Sequence, residues 1–137
     1  MRVLFAGREP GELSRVLTES DFVAVTVPLS SSTRHLIGAP ELAQMKPGAI
    51  LVNSSRGPVV DEQALAEALQ SGRLGGAGLD VFEDEPRVNP QLLECENALL
   101  VPHIGSATHV AREKMTAMSV DNLLAALDGR PMPYPAA

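Results

Sequence analysis

Five short apolar runs constrain this chain more than any other feature: Val3 to Ala6, Phe22 to Val27, Ala49 to Val52, Gly76 to Leu79 and Ala98 to Val101. Each is rich in small or branched residues and bounded by Gly, Pro, Asp or Asn. Continuous runs of this length read as strands covered on both faces. Between them lie segments with helical spacing. Asp61 to Gln70 is the clearest, with Asp61 placed to cap it, Leu65 and Leu69 on one face and Gly72 to end it. A shorter helix is expected from Pro40, with Leu42 and Met45 inward, stopping before Pro47-Gly48. A long one is expected from His109 to Leu127, where Val120, Leu123, Leu124 and Leu127 form an i, i+3, i+4, i+7 stripe before Gly129. Strands alternating with helices imply parallel pairing through right-handed crossovers, the α/β doubly wound class.

Size and charge narrow the function. At 137 residues the chain matches one compact domain, and nothing demands a second. A net charge of -6 without clustered Lys or Arg argues against a nucleic-acid surface, which rewards concentrated positive charge. A small anionic ligand needs only one or two well-placed cations. Cys95 is the single cysteine, with no disulfide partner and no metal-ligand spacing around it, so a reducing compartment and a structural role are expected. The first apolar run is too short for a signal-peptide core or a membrane span, and the cytoplasm is the simplest address.

In a doubly wound sheet, ligands bind beyond the carboxyl ends of the strands. Three such ends carry distinctive chemistry. Asn53-Ser54-Ser55-Arg56-Gly57 puts a guanidinium at one, with Gly57 beside it to let the backbone turn. Arg56 can hold a carboxylate through two parallel hydrogen bonds. Asp80-Val81-Phe82-Glu83-Asp84-Glu85-Pro86 supplies carboxylates, and Pro102-His103-Ile104-Gly105-Ser106-Ala107-Thr108 supplies an imidazole. Moving a hydride to a carbonyl requires a proton donor for the new alkoxide, and an imidazole titrates in the right range. His103 fits that task, with Glu85 as the carboxylate that orients it and Arg56 as the anchor of a 2-oxo acid.

These three stretches, in this order and spacing, resemble those of the D-isomer-specific 2-hydroxyacid dehydrogenases. Supporting matches are Ser20-Asp21-Phe22 leading to Val27-Pro28-Leu29, Thr33-Arg34-His35-Leu36-Ile37 and Met45-Lys46-Pro47-Gly48-Ala49, so the likeness runs from Ser20 to Pro133. The ending, with Asn122-Leu123-Leu124 and Gly129-Arg130-Pro131-Met132-Pro133, looks most like the glyoxylate and hydroxypyruvate reductase branch. The resemblance implies Arg56 as substrate anchor, His103 as proton donor and acceptor, and Glu85 as its carboxylate partner. It also implies a cofactor cleft lined by Pro28, Thr33, Ser54 and Ser55, with Asp80 meeting the nicotinamide carboxamide and Gly105 and Ser106 close by. NAD-preferring relatives carry an acidic residue at the end of the first strand. Here Gly7-Arg8 stands in that place, so the resemblance implies NADP(H) over NAD, with Arg8 pairing the 2'-phosphate. A homodimer is implied on the same ground.

Other polar residues have plainer readings. Glu83 and Asp84 read as a solvated acidic loop, His35 and His109 as surface or supporting residues, and the methionines, Met115 and Met118 included, as core filler.

The chain departs from the family in one respect with wide consequences. Its eleven glycines contain no Gly-x-Gly-x-x-Gly opening a helix: Gly72, Gly75, Gly76 and Gly78 lie at a helix end and in a strand. The fold expected is therefore a truncated, Rossmann-like doubly wound sheet without its first strand and glycine-rich loop, filling residues 1–137 as a partial NAD(P)-binding domain with 130–137 a loose tail. A further shortening falls between Pro10 and Glu12. The expectation is a sequence truncated at an internal methionine. Loss of a central strand would expose two edges, and either Val3 to Ala6 moves in beside Phe22 to Val27 or a partner covers them. Two functions follow: an oxidoreductase, or the cofactor domain of one, that reduces a small 2-oxo acid; or a non-catalytic remnant that keeps dimerisation or weak nucleotide binding.

Overall fold

A computed structural model of the chain describes residues 1–135; of the expected tail over 130–137, Ala136 and Ala137 lie outside the described residues. Two compact units divide at Pro102 and His103. The first holds a parallel four-stranded sheet, β1 (Phe22–Val25), β2 (Ile50–Asn53), β3 (Gly76–Leu79) and β4 (Ala98–Leu100), ordered β1-β2-β3-β4 as in the chain. The α/β class and parallel pairing expected from the alternating pattern are what the chain forms, and the register aligns Val52 with Ala24 and with Gly78.

Every crossover steps in the same direction. Right-handed connections that all step one way return over a single face of the sheet. Accordingly α1 (Glu12–Glu19), α2 (Ala39–Gln44), α3 (Glu62–Gln70) and α4 (Pro90–Leu93) lie side by side in that order. The core is the layer between them and the sheet: Val23, Val25, Leu51, Ala77 and Leu79 pack with Leu17, Leu42, Met45, Leu65, Leu69 and Leu92. Here the expectation of strands covered on both faces is corrected. Phe22 is 69% and Leu99 68% exposed, on the face to which no helix of this unit returns.

Local capping explains the helix limits. Asp61 Oδ1 accepts from Ala64 N at 3.0 Å to start α3, and Gly72, at φ 71°, ends it in the left-handed region that favours glycine. Leu42 and Met45 are buried as expected for α2.

Val3 to Ala6 forms no strand. Its residues alternate, Val3 and Phe5 exposed and Leu4 and Ala6 half-buried. Both ends are pinned to α1, by Arg2 Nη2 to Glu19 Oε2 (2.5 Å) and by Gly7 N to Glu12 Oε2 (2.7 Å). Held there, the segment shares no backbone hydrogen bond with β1.

The second unit is dominated by α5 (His109–Leu127), whose limits are those expected from the sequence. Thr108 Oγ1 accepts from Ala111 N at 3.2 Å at its start, and Gly129 follows at φ 67°. The Val120, Leu123, Leu124 and Leu127 stripe is exposed, while Ala125 is buried. Tyr134 N donates to Asn122 Oδ1 at 2.9 Å and Tyr134 O accepts from Asn122 Nδ2 at 2.6 Å, which lays the chain after Gly129 back along α5.

Candidate active site at the strand ends

The loop after β2 is built on a residue that the sequence reading passed over. Asn53 closes β2 with its side chain turned into the core, and the residue is only 1% exposed. A buried amide must have its hydrogen bonds met. Its Oδ1 accepts from Ser55 N (3.0 Å) and Ser55 Oγ (2.8 Å), while its Nδ2 donates to Arg56 O (3.0 Å). These bonds fix Ser54, Ser55 and Arg56 in one turn. The signal was present in the sequence: an Asn at the end of an apolar run, followed by two serines, is an Asx-turn pattern.

Arg56 is exposed, and one of its N–H groups, on Nη1, donates to Ser55 O at 2.7 Å. Pro28, Ser54, Ser55 and Arg56 come together in a cleft of about 490 Å³ between the ends of β1 and β2, with Thr26, Val27 and Leu29. Thr33 does not line this cleft. Its hydroxyl donates to Pro28 O (2.7 Å) and accepts from Ser30 N (2.8 Å), so it shapes the loop that carries Pro28. Arg8 is exposed in the bend before α1 and lies outside the cleft.

The role expected of Gly57 changes in the structure. A Cβ there would sit 1.9 Å from the carbonyl carbon of Phe82 and 2.5 Å from Glu83 N. Glycine is required because two backbones touch, and this contact couples the Arg56 turn to the loop that bears Glu85. That second loop is anchored by the buried side chains of Val81 and Phe82. Asp80 N donates to Asn53 O at 3.0 Å, so Asp80 begins directly beside the Asn53 turn. Glu85 Oε1 accepts from Phe82 N at 3.0 Å, and the Glu85–Pro86 peptide is cis.

Glu83 is not the solvated loop residue that its acidic neighbourhood suggested. Its Oε1 accepts from Glu62 N (3.0 Å), while Glu62 Oε1 accepts from Glu83 N (2.5 Å). Glu83 Oε2 also meets His35 Nε2 at 2.9 Å and Arg34 Nη2 at 3.8 Å. His35 thereby ties the loop after β1 to the loop after β3, with Asp61 Oδ2 at 3.8 Å from its Nδ1. Burial pushes the Glu62 carboxyl above its ordinary range, partly opposed by the hydrogen bond from Glu83 N and reinforced by the Glu83 charge. No local pattern reveals this pairing, because its members are 21 residues apart. Asp84 does behave as a solvated residue, with an ion pair to exposed Arg87 at 2.7 Å. A wider groove of about 920 Å³ runs past Glu62, Glu83 and Arg87, but it contains none of the expected site residues.

His103, Gly105 and Ser106 open the second unit. His103 has φ 53°, an unusual value for a non-glycine residue, and Ala107 N donates to Ile104 O at 2.9 Å to close a turn ahead of α5. Cys95 is buried as a structural thiol, and burial raises its pKa.

The amino-acid chain matches the family model for the D-isomer specific 2-hydroxyacid dehydrogenase NAD-binding domain over residues 4–105. It belongs to that family. Among its relatives, the glyoxylate/hydroxypyruvate reductase B of Pectobacterium carotovorum is 56% identical over 119 residues, which cover 86% of this chain and 37% of that protein. The enzyme of the same name from Yersinia pestis is 50% identical, covering 94% and 44%. The NADPH-dependent glyoxylate/hydroxypyruvate reductase of Sinorhizobium meliloti, solved with NADP and malonate, superposes with a TM-score of 0.87 at 42% identity, over 91% of this chain and 39% of that one. The chain thus spans well under half the length of these dehydrogenases. Among described residues no helix is long and apolar enough to cross a membrane, and no cluster of His, Cys, Asp or Glu is arranged to hold a metal ion.

The fit of a nicotinamide cofactor to these residues can be tested on the geometry. The cleft combines apolar walls, Val27, Pro28 and Leu29, with the hydroxyls of Ser54 and Ser55, which suits a flat ring with a polar substituent. Pyrophosphate recognition in such folds relies on free backbone N–H groups at a glycine-rich turn. Here Gly7 N, in the segment that leads into α1, is taken by the Glu12 carboxylate, and Gly11 at φ 85° caps the helix. The nicotinamide end of the cofactor fits the residues present.

Proposed function

We propose that this chain is the cofactor-binding part of a reductase acting on a small 2-oxo acid, glyoxylate or hydroxypyruvate, with NADP(H) preferred over NAD. The observation that carries the reading is the Asn53-braced turn, which holds Ser54, Ser55 and Arg56 in one cleft and touches the Glu85 loop at Gly57. Bound nicotinamide supplies the hydride in this chemistry. Arg56 takes the substrate carboxylate through guanidinium N–H groups and polarises the adjacent carbonyl. His103 gives the proton that the new alkoxide requires, and Glu85 favours and orients the imidazolium. By family resemblance Pro28, Ser54 and Ser55 would line the nicotinamide cleft, and Asp80, Gly105 and Ser106 are assigned to the cofactor as well; Thr33 braces the Pro28 loop. Arg8 pairs the 2'-phosphate of NADP(H). We further assign the protein to the cytoplasm and to a homodimer, in keeping with its buried free thiol and with family resemblance.

Purified chain mixed with NADPH and glyoxylate, followed by loss of NADPH absorbance, tests the reading. Turnover that disappears in Arg56→Ala and His103→Ala supports it. A folded chain with no turnover favours the second reading, a remnant that retains dimerisation or weak nucleotide binding. That reading draws on Glu12 occupying the Gly7 amide.

A further inference from the structure

His35 stands where three strand-end loops meet, yet the proposed chemistry gives it no task. Its φ is 49°, in the left-handed region that strains most residues with a side chain and that histidine tolerates better than most. From that conformation it reaches two neighbouring loops. Its N–H donates to Pro58 O at 2.8 Å, in the 3-10 turn Gly57–Val59 that follows Arg56 directly. Its ring Nε2 donates to Glu83 Oε2 at 2.9 Å. Arg34 Nη2, 3.8 Å from Glu83 Oε2, and Asp61 Oδ2, 3.8 Å from His35 Nδ1, also face this contact. Both are too distant to replace the hydrogen bond.

Each end of that bond leads to a part of the site. His35 follows Thr33 by two residues, and the Thr33 hydroxyl donates to Pro28 O at 2.7 Å while Leu36 N closes the turn on Thr33 O at 3.2 Å. His35 and the Pro28 wall of the cleft therefore belong to one braced loop. At the other end, Glu83 Oε1 accepts from Glu62 N, which moors the side chain to the start of α3. The Phe82–Glu83 peptide passes so close to Gly57 that a Cβ there would lie 2.0 Å from Phe82 O and 2.5 Å from Glu83 N. Phe82 N, in turn, donates to Glu85 Oε1 at 3.0 Å. Whatever fixes this peptide fixes both Arg56 and Glu85.

We infer that His35 is a positioning residue: through Glu83 it fixes the Phe82–Glu83 peptide and so joins the Pro28 wall of the cofactor cleft to Arg56 and Glu85. The inference rests on the reading of these strand ends as a cofactor and substrate site. It adds that their occupancies are coupled. A cofactor that steadies the Pro28 loop also steadies the loops that receive the substrate, and the effect is reciprocal.

Amide hydrogen exchange in the full chain, labelled with nitrogen-15, tests this first without any ligand. His35→Asn keeps a residue that tolerates φ 49° but is one bond too short to reach Glu83, whereas His35→Gln carries an amide N–H as far out as Nε2. In His35→Asn, Ser30, whose N–H is held by Thr33 Oγ1, and Phe82 and Glu83 exchange about tenfold faster, the scale of one lost hydrogen bond. Ile50 and Ala77, inside the sheet ladder, keep parental rates. His35→Gln restores all three loop amides. Saturating NADPH then reads the coupling. In the parent it slows exchange at Ser55, in the cleft, and also at Phe82 and Glu83, outside it; in His35→Asn only Ser55 responds.

A merely structural pin would speed Ile50 and Ala77 along with the loops, and that result overturns the inference. So do unchanged loop rates in His35→Asn, a change confined to Ser30 or to the Phe82–Glu83 peptide, and an equal effect of both substitutions. NADPH protection that stops at Ser55 in the parent, or that still reaches Phe82 in His35→Asn, overturns it as well. NADPH that leaves Ser55 unchanged in the parent defeats the cofactor reading instead, and the ligand-free comparison still decides for or against the role of His35.

Discussion

Replacing Gly57 with alanine should destabilise the first unit by about 3 kcal/mol, the upper end of the usual overpacking cost. The added Cβ would lie 1.9 Å from the Phe82 carbonyl carbon and 2.0 Å from its oxygen, whereas real Cβ atoms keep at least 3.0 Å from such neighbours. The two loops must therefore part by about 1.1 Å, and by about 1.5 Å to reach ordinary contact. No flexible side chain can absorb that movement, because both partners are backbone. Parting them also pulls on Glu83 N and its 2.5 Å bond to Glu62. Urea unfolding followed by far-ultraviolet circular dichroism measures the cost. With a slope of about 1.5 kcal/mol per molar urea, the midpoint falls by about 2 M. Gly78→Ala is the matched control: its Cβ would meet Val52 at 3.8 Å, an ordinary contact, and lower backbone entropy in the unfolded chain should leave the variant neutral or more stable by about 0.5 kcal/mol. A Gly57→Ala midpoint within about 0.3 M of the parent would refute the close-approach argument.

Asn53→Ala removes three hydrogen bonds from a buried turn and should cost about 3 kcal/mol; it should also loosen Ser55, visible as faster exchange of its amide. Asp61→Ala deletes the α3 cap and should cost about 1 kcal/mol, most of it restored by Asp61→Asn, as judged by thermal midpoints. Because the folded Glu62 carboxyl titrates above its ordinary value of 4.5, its neutral form is the one the fold prefers. Stability from this group is complete at acid pH and is lost as pH rises from that value through the folded pKa. Glu62→Gln should lack that decline, so its thermal midpoint gains on the parent steadily over this window; parallel curves would contradict the assignment.

Period and punctuation made the elements legible. The limits of α5 and the inward faces of α2 and α3 follow from residue spacing and from Asp61, Gly72 and Gly129, all of which act locally. Arg56 could be picked out because it follows an apolar run at a strand end, whereas Glu85 stood apart from Asp80, Glu83 and Asp84 only by its place in the family pattern. Pairings distant in sequence stayed hidden: Glu62 with Glu83, His35 with Glu83, and Gly57 against Phe82 depend on how neighbouring loops meet. Coverage of the sheet was misread for a related reason. A run such as Phe22 to Val25 is apolar on both sides, and only the direction of successive crossovers decides which side receives helices. Val3 to Ala6 has the composition of a strand, yet it shares no backbone hydrogen bond with β1.

The strand order has a consequence for how the molecule forms. Ile50 pairs with Phe22, Gly76 with Ile50 and Ala98 with Ala77, separations of 28, 26 and 21 residues. Each strand docks on the one synthesised just before it, and no pairing waits for a segment made much later. Short, nearly equal loops to close favour rapid assembly. As the chain leaves the ribosome, its sheet can be laid down one strand at a time, with each finished edge serving as the template for the next.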